Sequence, residues 1–129
     1  MLSVNTASRT ITFTVNRKTA EAFDAILNIP PKMMPDATKR DDGWWSFTGP
    51  WGPAKLKFNE NKQHGILDYQ VVESDVKWNV PMRVIPKGDD SELITTIIKP
   101  DALSDETFDE KMKEIEKIIL SMKEIIEET

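Results

Sequence analysis

The closing stretch, Ser104 to Thr129, restricts the possible folds more than any other part of the chain. Phe108, Met112, Ile115, Ile119, Met122 and Ile126 recur at alternating steps of four and three, the apolar seam of an α-helix. Ile118, Leu120 and Ile125 widen that seam beyond a coiled-coil stripe, so the helix is expected to lie against a broad apolar surface. Ser104 is placed to cap its N-terminus, and Asp105 and Glu106 put negative charge at the positive end of the helix dipole. At ~1.5 Å per residue, about 25 residues make a rod roughly 37 Å long. Nothing upstream has a helical period of comparable length, so the rest of the chain must supply the surface that receives it.

Read in order, the upstream chain supplies strands. Thr10 to Val15 alternates, with Ile11, Phe13 and Val15 opposed by three threonines. Asn16 is positioned to end that strand and to cap the helix after it. From Arg17 to Asn28 the spacing turns helical, with Ala22, Phe23, Ile26 and Leu27 on one side. Pro30 and Pro31 stop this helix and open a short second turn holding Met33 and Met34. Asp36 to Gly43 is polar and reads as a loop.

Five further strands are expected before Lys99. They are Trp44–Thr48, Ala54–Phe58, Ile66–Val72, Val76–Ile85 and Leu93–Ile98, separated by turn-forming residues. Pro81 interrupts the fourth of these. A proline cannot donate to a ladder, so a bulge is expected there, which would reverse the parity of Met82 and Arg83. Consecutive hairpins give an antiparallel sheet with one apolar face, and the terminal helix has the length to cover it. The 129 residues suit a single domain, 1–129.

Composition excludes several functions. A formal charge of −5 argues against a nucleic-acid binder. The chain has no cysteine, which removes disulfides, thiol catalysis and thiolate metal sites. Met1 to Lys18 lacks the apolar core of a leader, and no run approaches the ~20 apolar residues of a membrane span. The expected location is therefore the cytoplasm, with no integral membrane segment. No phosphate loop, nucleophile elbow or metal motif occurs. His64, the only histidine, lies in a polar turn and reads as solvated. The carboxylates read as surface groups, with no pair placed to share proton-transfer work. Glu110, Lys111, Lys113, Glu114, Glu116 and Lys117 read as the solvent face of the long helix.

The opening segment ITFTVNRKTAEAFDAILNIPPKM, the aromatic strand WWSFTGPW and the closing amphipathic helix together resemble the START-like (SRPBCC) superfamily. That superfamily includes pollen-allergen-like proteins, polyketide cyclases and lipid-transfer domains. Where those proteins often carry a tryptophan soon after the second helix, this chain has Met33 and Met34, and its tryptophans come later, at Trp44 and Trp45. The resemblance covers nearly the whole chain. It implies a helix-grip α+β fold, with a curved six-stranded antiparallel sheet in β-α-α-β5-α order wrapped around the long C-terminal helix.

A curved sheet and a straight rod cannot touch along their full lengths, and the resemblance implies an apolar cavity between them. The expected lining from the sheet is Phe13, Trp45, Phe47, Leu56, Phe58, Leu67, Tyr69, Trp78, Val80, Met82, Leu93, Thr95 and Ile97. From the helix it is Phe108, Met112, Ile115 and Ile119, with Pro50, Trp51 and Leu103 at the mouth. The mouth is expected near the N-terminal half of the helix, formed by the turns at Gly49–Pro53 and Glu73–Asp75 with Pro100–Leu103. Trp45 and Trp78 also read simply as core. Trp51, between Gly-Pro neighbours in a turn, is harder to place in a core and reads as a lid or a partner-binding knob. Tyr69 would give the pocket one polar anchor, or else bond backbone or water; Thr95 is a weaker anchor of the same kind. The leading expectation is a hydrophobic small-molecule ligand, lipid- or polyketide-like, with no cofactor and no metal. A polyketide cyclase or dehydrase using the same cavity is one alternative, and a protein-interaction module of the chaperone-activator type is another.

Overall fold

The computed structural model describes residues 8–129; residues 1–7, the start of the segment read above as lacking a leader core, lie outside them. Strand β1 (Ser8–Val15) leads into α1 (Thr19–Leu27) and the single turn α2 (Pro30–Met33). A two-residue strand β2 (Thr38–Lys39) precedes β3 (Trp45–Gly49), β4 (Gly52–Asn61) and a 3-10 turn at Lys62–His64. The chain continues through β5 (Ile66–Glu73), β6 (Val76–Val80), β7 (Met82–Lys87), β8 (Asp90–Ile98) and the long helix α3 (Asp105–Glu128). The antiparallel sheet runs in the order β1-β8-β7-β5-β4-β3-β2, with β6 also paired to β5.

Two of these strands exceed the six expected. One is β2, a brief pairing with β3 inside the segment read as loop. The other arises because Pro81 divides the expected Val76–Ile85 strand into β6 and β7. The proline does so without a bulge. Tyr69 opposes Val80 and, three residues along each strand, Ile66 opposes Arg83, so the register is unbroken and the expected reversal of parity does not occur. Asp68 compensates locally: its carboxylate accepts the Met82 backbone N–H at 3.0 Å and pairs with the Arg83 guanidinium. Met82 is accordingly fully buried.

α1 begins at Thr19 with Lys18 as its cap residue and no side-chain bond there, so Asn16 does not cap it. The Asn16 backbone N–H instead donates to Glu127 Oε2 at 2.9 Å, tying the end of β1 to the end of α3. At the other end of α3, Ser104 Oγ accepts the Thr107 N–H at 3.1 Å, the cap read from the sequence. Arg9 pairs with Asp109 near that end. Near the C-terminal end, Arg17 donates to the Glu127 carbonyl and Lys123 to the Thr14 carbonyl. The helix buries Phe108, Met112, Ile119, Met122 and Ile126. Leu120 does not join them; it lies on the opposite side of the helix, 53% exposed.

Candidate functional site

The sheet and α3 do not close on each other along the whole helix. Over the N-terminal third of α3 the space is filled: Phe108 is fully buried and stacks on Trp78 with ring centroids 6.1 Å apart, and Met112 packs beside it. Beyond that plug a cavity of about 330 Å³ opens. Its helical side consists of Ile115, Ile118, Ile119 and Met122 of α3, with Ile26, Ile29, Pro30, Met33 and Met34 from the α1–α2 region. The sheet contributes Phe47, Ala54, Leu56, Phe58, Tyr69, Val71, Trp78, Val80 and Ile97. The volume falls within the range of small-molecule pockets, and the wall has the apolar character such pockets share.

The β3–β4 hairpin forms one rim. Gly49 opposes Gly52, leaving Pro50 and Trp51 as the two-residue tip. Gly52 has φ +116°, outside the range other residues adopt without strain, which fixes a glycine at this corner. Trp51 is half-buried there, and the Lys111 ammonium of α3 lies 3.8 Å above its ring centre, a cation–π contact between hairpin and helix. The hairpin is also tied to the loop before β2, where Asp36 accepts the Thr48 hydroxyl at 2.6 Å and the Thr48 backbone N–H at 3.2 Å. Those two bonds hold the Asp36 carboxyl below its usual pKa.

Few polar groups face the cavity. Glu73, at the end of β5, is only 5% exposed. Its Oε1 accepts the Trp78 indole N–H at 3.3 Å and stands 3.6 Å from Lys111 Nζ. Tyr69 packs edge-on to Phe58, with ring centroids 5.7 Å apart. Its hydroxyl makes no hydrogen bond among the described residues, and burial pushes its phenol above the ordinary pKa. Glu114 of α3 completes the charged part of the wall. Among the described residues no group of three or more His, Cys, Asp or Glu is arranged to hold a metal ion. Among them, too, no helix is long and apolar enough to cross a membrane.

No family model matches the sequence, and no curated protein matches it. Solved structures do. An uncharacterized protein from Bacillus thuringiensis superposes with a TM-score of 0.71 at 15% identity, over 95% of this chain and 97% of that one. Truncated norcoclaurine synthase from Thalictrum flavum gives 0.69 at 14% identity, over 98% and 96%. A START superfamily protein from Mycobacterium smegmatis gives 0.63 at 9% identity, over 89% and 92%. The fold is the α+β helix grip.

Within this helix grip, most of the residues expected to line a pocket divide into two groups. Phe47, Leu56, Phe58, Tyr69, Trp78, Val80, Ile97, Ile115 and Ile119 meet around the cavity, with Pro50 and Trp51 at its rim. Leu67, Met82, Leu93, Thr95, Phe108 and Met112 are buried in the solid core instead. Phe13 is half-buried and packs against that core, as does Leu103. Trp45 is half-buried away from the cavity, with Lys39 Nζ 5.9 Å from its ring centre. Two of the three segments expected at the mouth reach the cavity. Gly49, Pro50, Trp51 and Glu73 border the cavity, whereas Pro100–Leu103 does not, because Phe108 and Met112 fill the N-terminal third of the helix groove.

Sequence reading missed the α1–α2 side of the cavity and its one buried acid. Met33 and Met34 read only as adaptable packing groups, although paired methionines after a proline stop suit a wall that must fit variable shapes. Glu73 read as the start of a turn. The available signal was parity: Glu73 continues the inward series of Tyr69 and Val71. Lys111 read as solvent-facing, yet its side chain is 20% exposed and reaches back to Trp51 and Glu73.

Proposed function

We propose that this chain is a small cytoplasmic binding protein that holds an apolar or amphipathic small molecule in the cavity between sheet and α3. One observation carries the reading: the gap beside α3 is a space of about 330 Å³ whose wall is almost entirely aliphatic and aromatic. Burying apolar ligand surface there would contribute ~25 cal/mol per Å², while Tyr69 and Glu73 would orient the bound molecule. An interaction module would call for a filled interior and a contiguous apolar surface. The exposed large apolar residues, Ile85, Ile98 and Leu120, instead lie on three different elements.

Native mass spectrometry of protein purified from its host tests the proposal, with Ile115→Trp as the control that fills the cavity. A co-purifying apolar mass that is present in the natural chain and lost in the variant is the expected result. An empty natural chain that also fails to bind a neutral apolar dye such as Nile red overturns it.

A further inference from the structure

We infer that the cavity selects a ligand bearing an ammonium group on an apolar body, with Glu73 as the anchor. This rests on the reading that the cavity holds a ligand. The charged residues of the wall are Glu73 and Glu114, and no lysine or arginine is among them. Glu73 is 5% exposed, and its Oε1 is engaged by the Trp78 indole N–H and faces Lys111. Among the described residues nothing donates a hydrogen bond to Oε2. Lys111 offsets the charge of this carboxylate at 3.6 Å, while Oε2 remains an acceptor open to a donor on a ligand.

Lys111 does not supply that donor. Its ammonium rests on the face of Trp51 and approaches the oxygen already bonded to Trp78. Glu114 stands one turn further along α3 than Lys111, so the two carboxylates leave this part of the wall net negative even with Lys111 counted. An anionic head group would meet both carboxylates in a medium of reduced dielectric, whereas an ammonium would meet an acceptor without a partner. Tyr69 lies four residues back on the same face of β5, ~13 Å away at strand spacing. Its unpartnered hydroxyl offers a second, neutral contact to a ligand long enough to reach it.

The test is displacement of Nile red from the full chain near neutral pH by octylamine, 1-octanol and octanoate, which share one tail and differ in head charge. Octylamine is expected to displace the dye at a concentration about tenfold below that of octanol, with octanoate weakest. In Glu73→Gln, octylamine should lose its advantage over octanol. Equal or tighter binding of octanol, tightest binding of octanoate, or an amine preference that survives Glu73→Gln would each overturn the inference while leaving the cavity reading in place. If Nile red itself does not bind, the cavity reading fails and the inference with it; if it binds and none of the three displaces it, the inference alone fails. Should Glu73→Gln not fold, the ranking in the natural chain still decides for or against an amine, and Glu114→Gln, on the helix surface, should narrow the preference in the same direction.

Discussion

Trp78 donates its indole N–H to Glu73 at 3.3 Å, and both side chains are buried where the core meets the cavity. The bond joins β6 to the end of β5 across the tight turn at Ser74 and Asp75, both of which have positive φ. Glu73→Ala should therefore cost about 1–3 kcal/mol, because it leaves a buried indole N–H without an acceptor. Glu73→Gln keeps an acceptor oxygen and should recover most of that loss. Urea unfolding of the two variants checks the difference; equal destabilisation would show that the bond contributes nothing.

Phe108 and Ile115 lie two turns apart on α3 but in different surroundings. Phe108 is fully buried against Trp78, so Phe108→Ala should cost about 3–5 kcal/mol and extend the cavity toward the start of the helix. Ile115 already borders open space, and Ile115→Ala should cost about 1 kcal/mol, below the usual range for a packed isoleucine. A comparable loss for both, measured by denaturation, would mean the space beside Ile115 is filled.

Gly65 comes directly after the 3-10 turn with φ +65°, and a Cβ built there would stand 2.4 Å from the Val84 carbonyl oxygen. The close approach belongs to a hydrogen bond from the Val84 N–H to the Gly65 carbonyl, 2.9 Å long. Gly65→Ala should destabilise by more than about 2 kcal/mol, since left-handed strain and a backbone clash act together. Gly88, also at positive φ but with open space where its Cβ would be, should lose less on the same change. Melting temperatures of the two variants give the comparison.

Thr95 is fully buried, and its Oγ1 has no hydrogen-bond partner among the described residues. Thr95→Val removes an unsatisfied hydroxyl while keeping the branched shape, so it should stabilise the fold by about 1 kcal/mol. A destabilised valine variant would reveal a partner for that hydroxyl.

Tyr69 is the only tyrosine, so phenolate absorbance reports on it alone. Burial raises its pKa in the folded chain above the unfolded value of about 10. The folded state therefore keeps a proton that the unfolded state gives up. The resulting contribution to stability is fully present below pH ~10 and declines as pH rises beyond it. In urea the absorbance should rise near pH 10, while the folded chain should resist until higher pH or until it unfolds. A folded-state rise at the ordinary pH would place the phenol in water.

The elements that sequence reading located are those whose signals are local. Ser104 caps α3 because a hydroxyl and the N–H three residues on decide that contact between themselves. Pro50 and Trp51 fall at a hairpin tip because their glycine neighbours supply the corner. Phe47, Tyr69 and Trp78 face the cavity by simple alternation. Where partners are distant the reading faltered. Nothing near Pro81 in the sequence announces that Asp68 will take over the missing ladder contact and preserve the register. Glu73 and Lys111 are brought together by α3 lying across the sheet, a juxtaposition that neither local pattern contains. The extent of the cavity toward Pro100–Leu103 was misjudged for a volumetric reason. Hydrophobic period identifies which residues face inward, but only the bulk of Phe108 and Met112 against Trp78 determines how far along the groove the filling extends.

α3 is anchored near its first turn by Ser104 and Asp109, and near its last by its ties to Asn16, Arg17 and Thr14. Between the Phe108–Met112 plug and the C-terminal ties, the inner face around Ile115 and Ile118 borders the cavity, like a beam over an open bay. Such a member deflects most at mid-span. Any enlargement of the chamber by bowing of the rod would fall on the stretch around Ile115 and Ile118, with no strand parted from its neighbour.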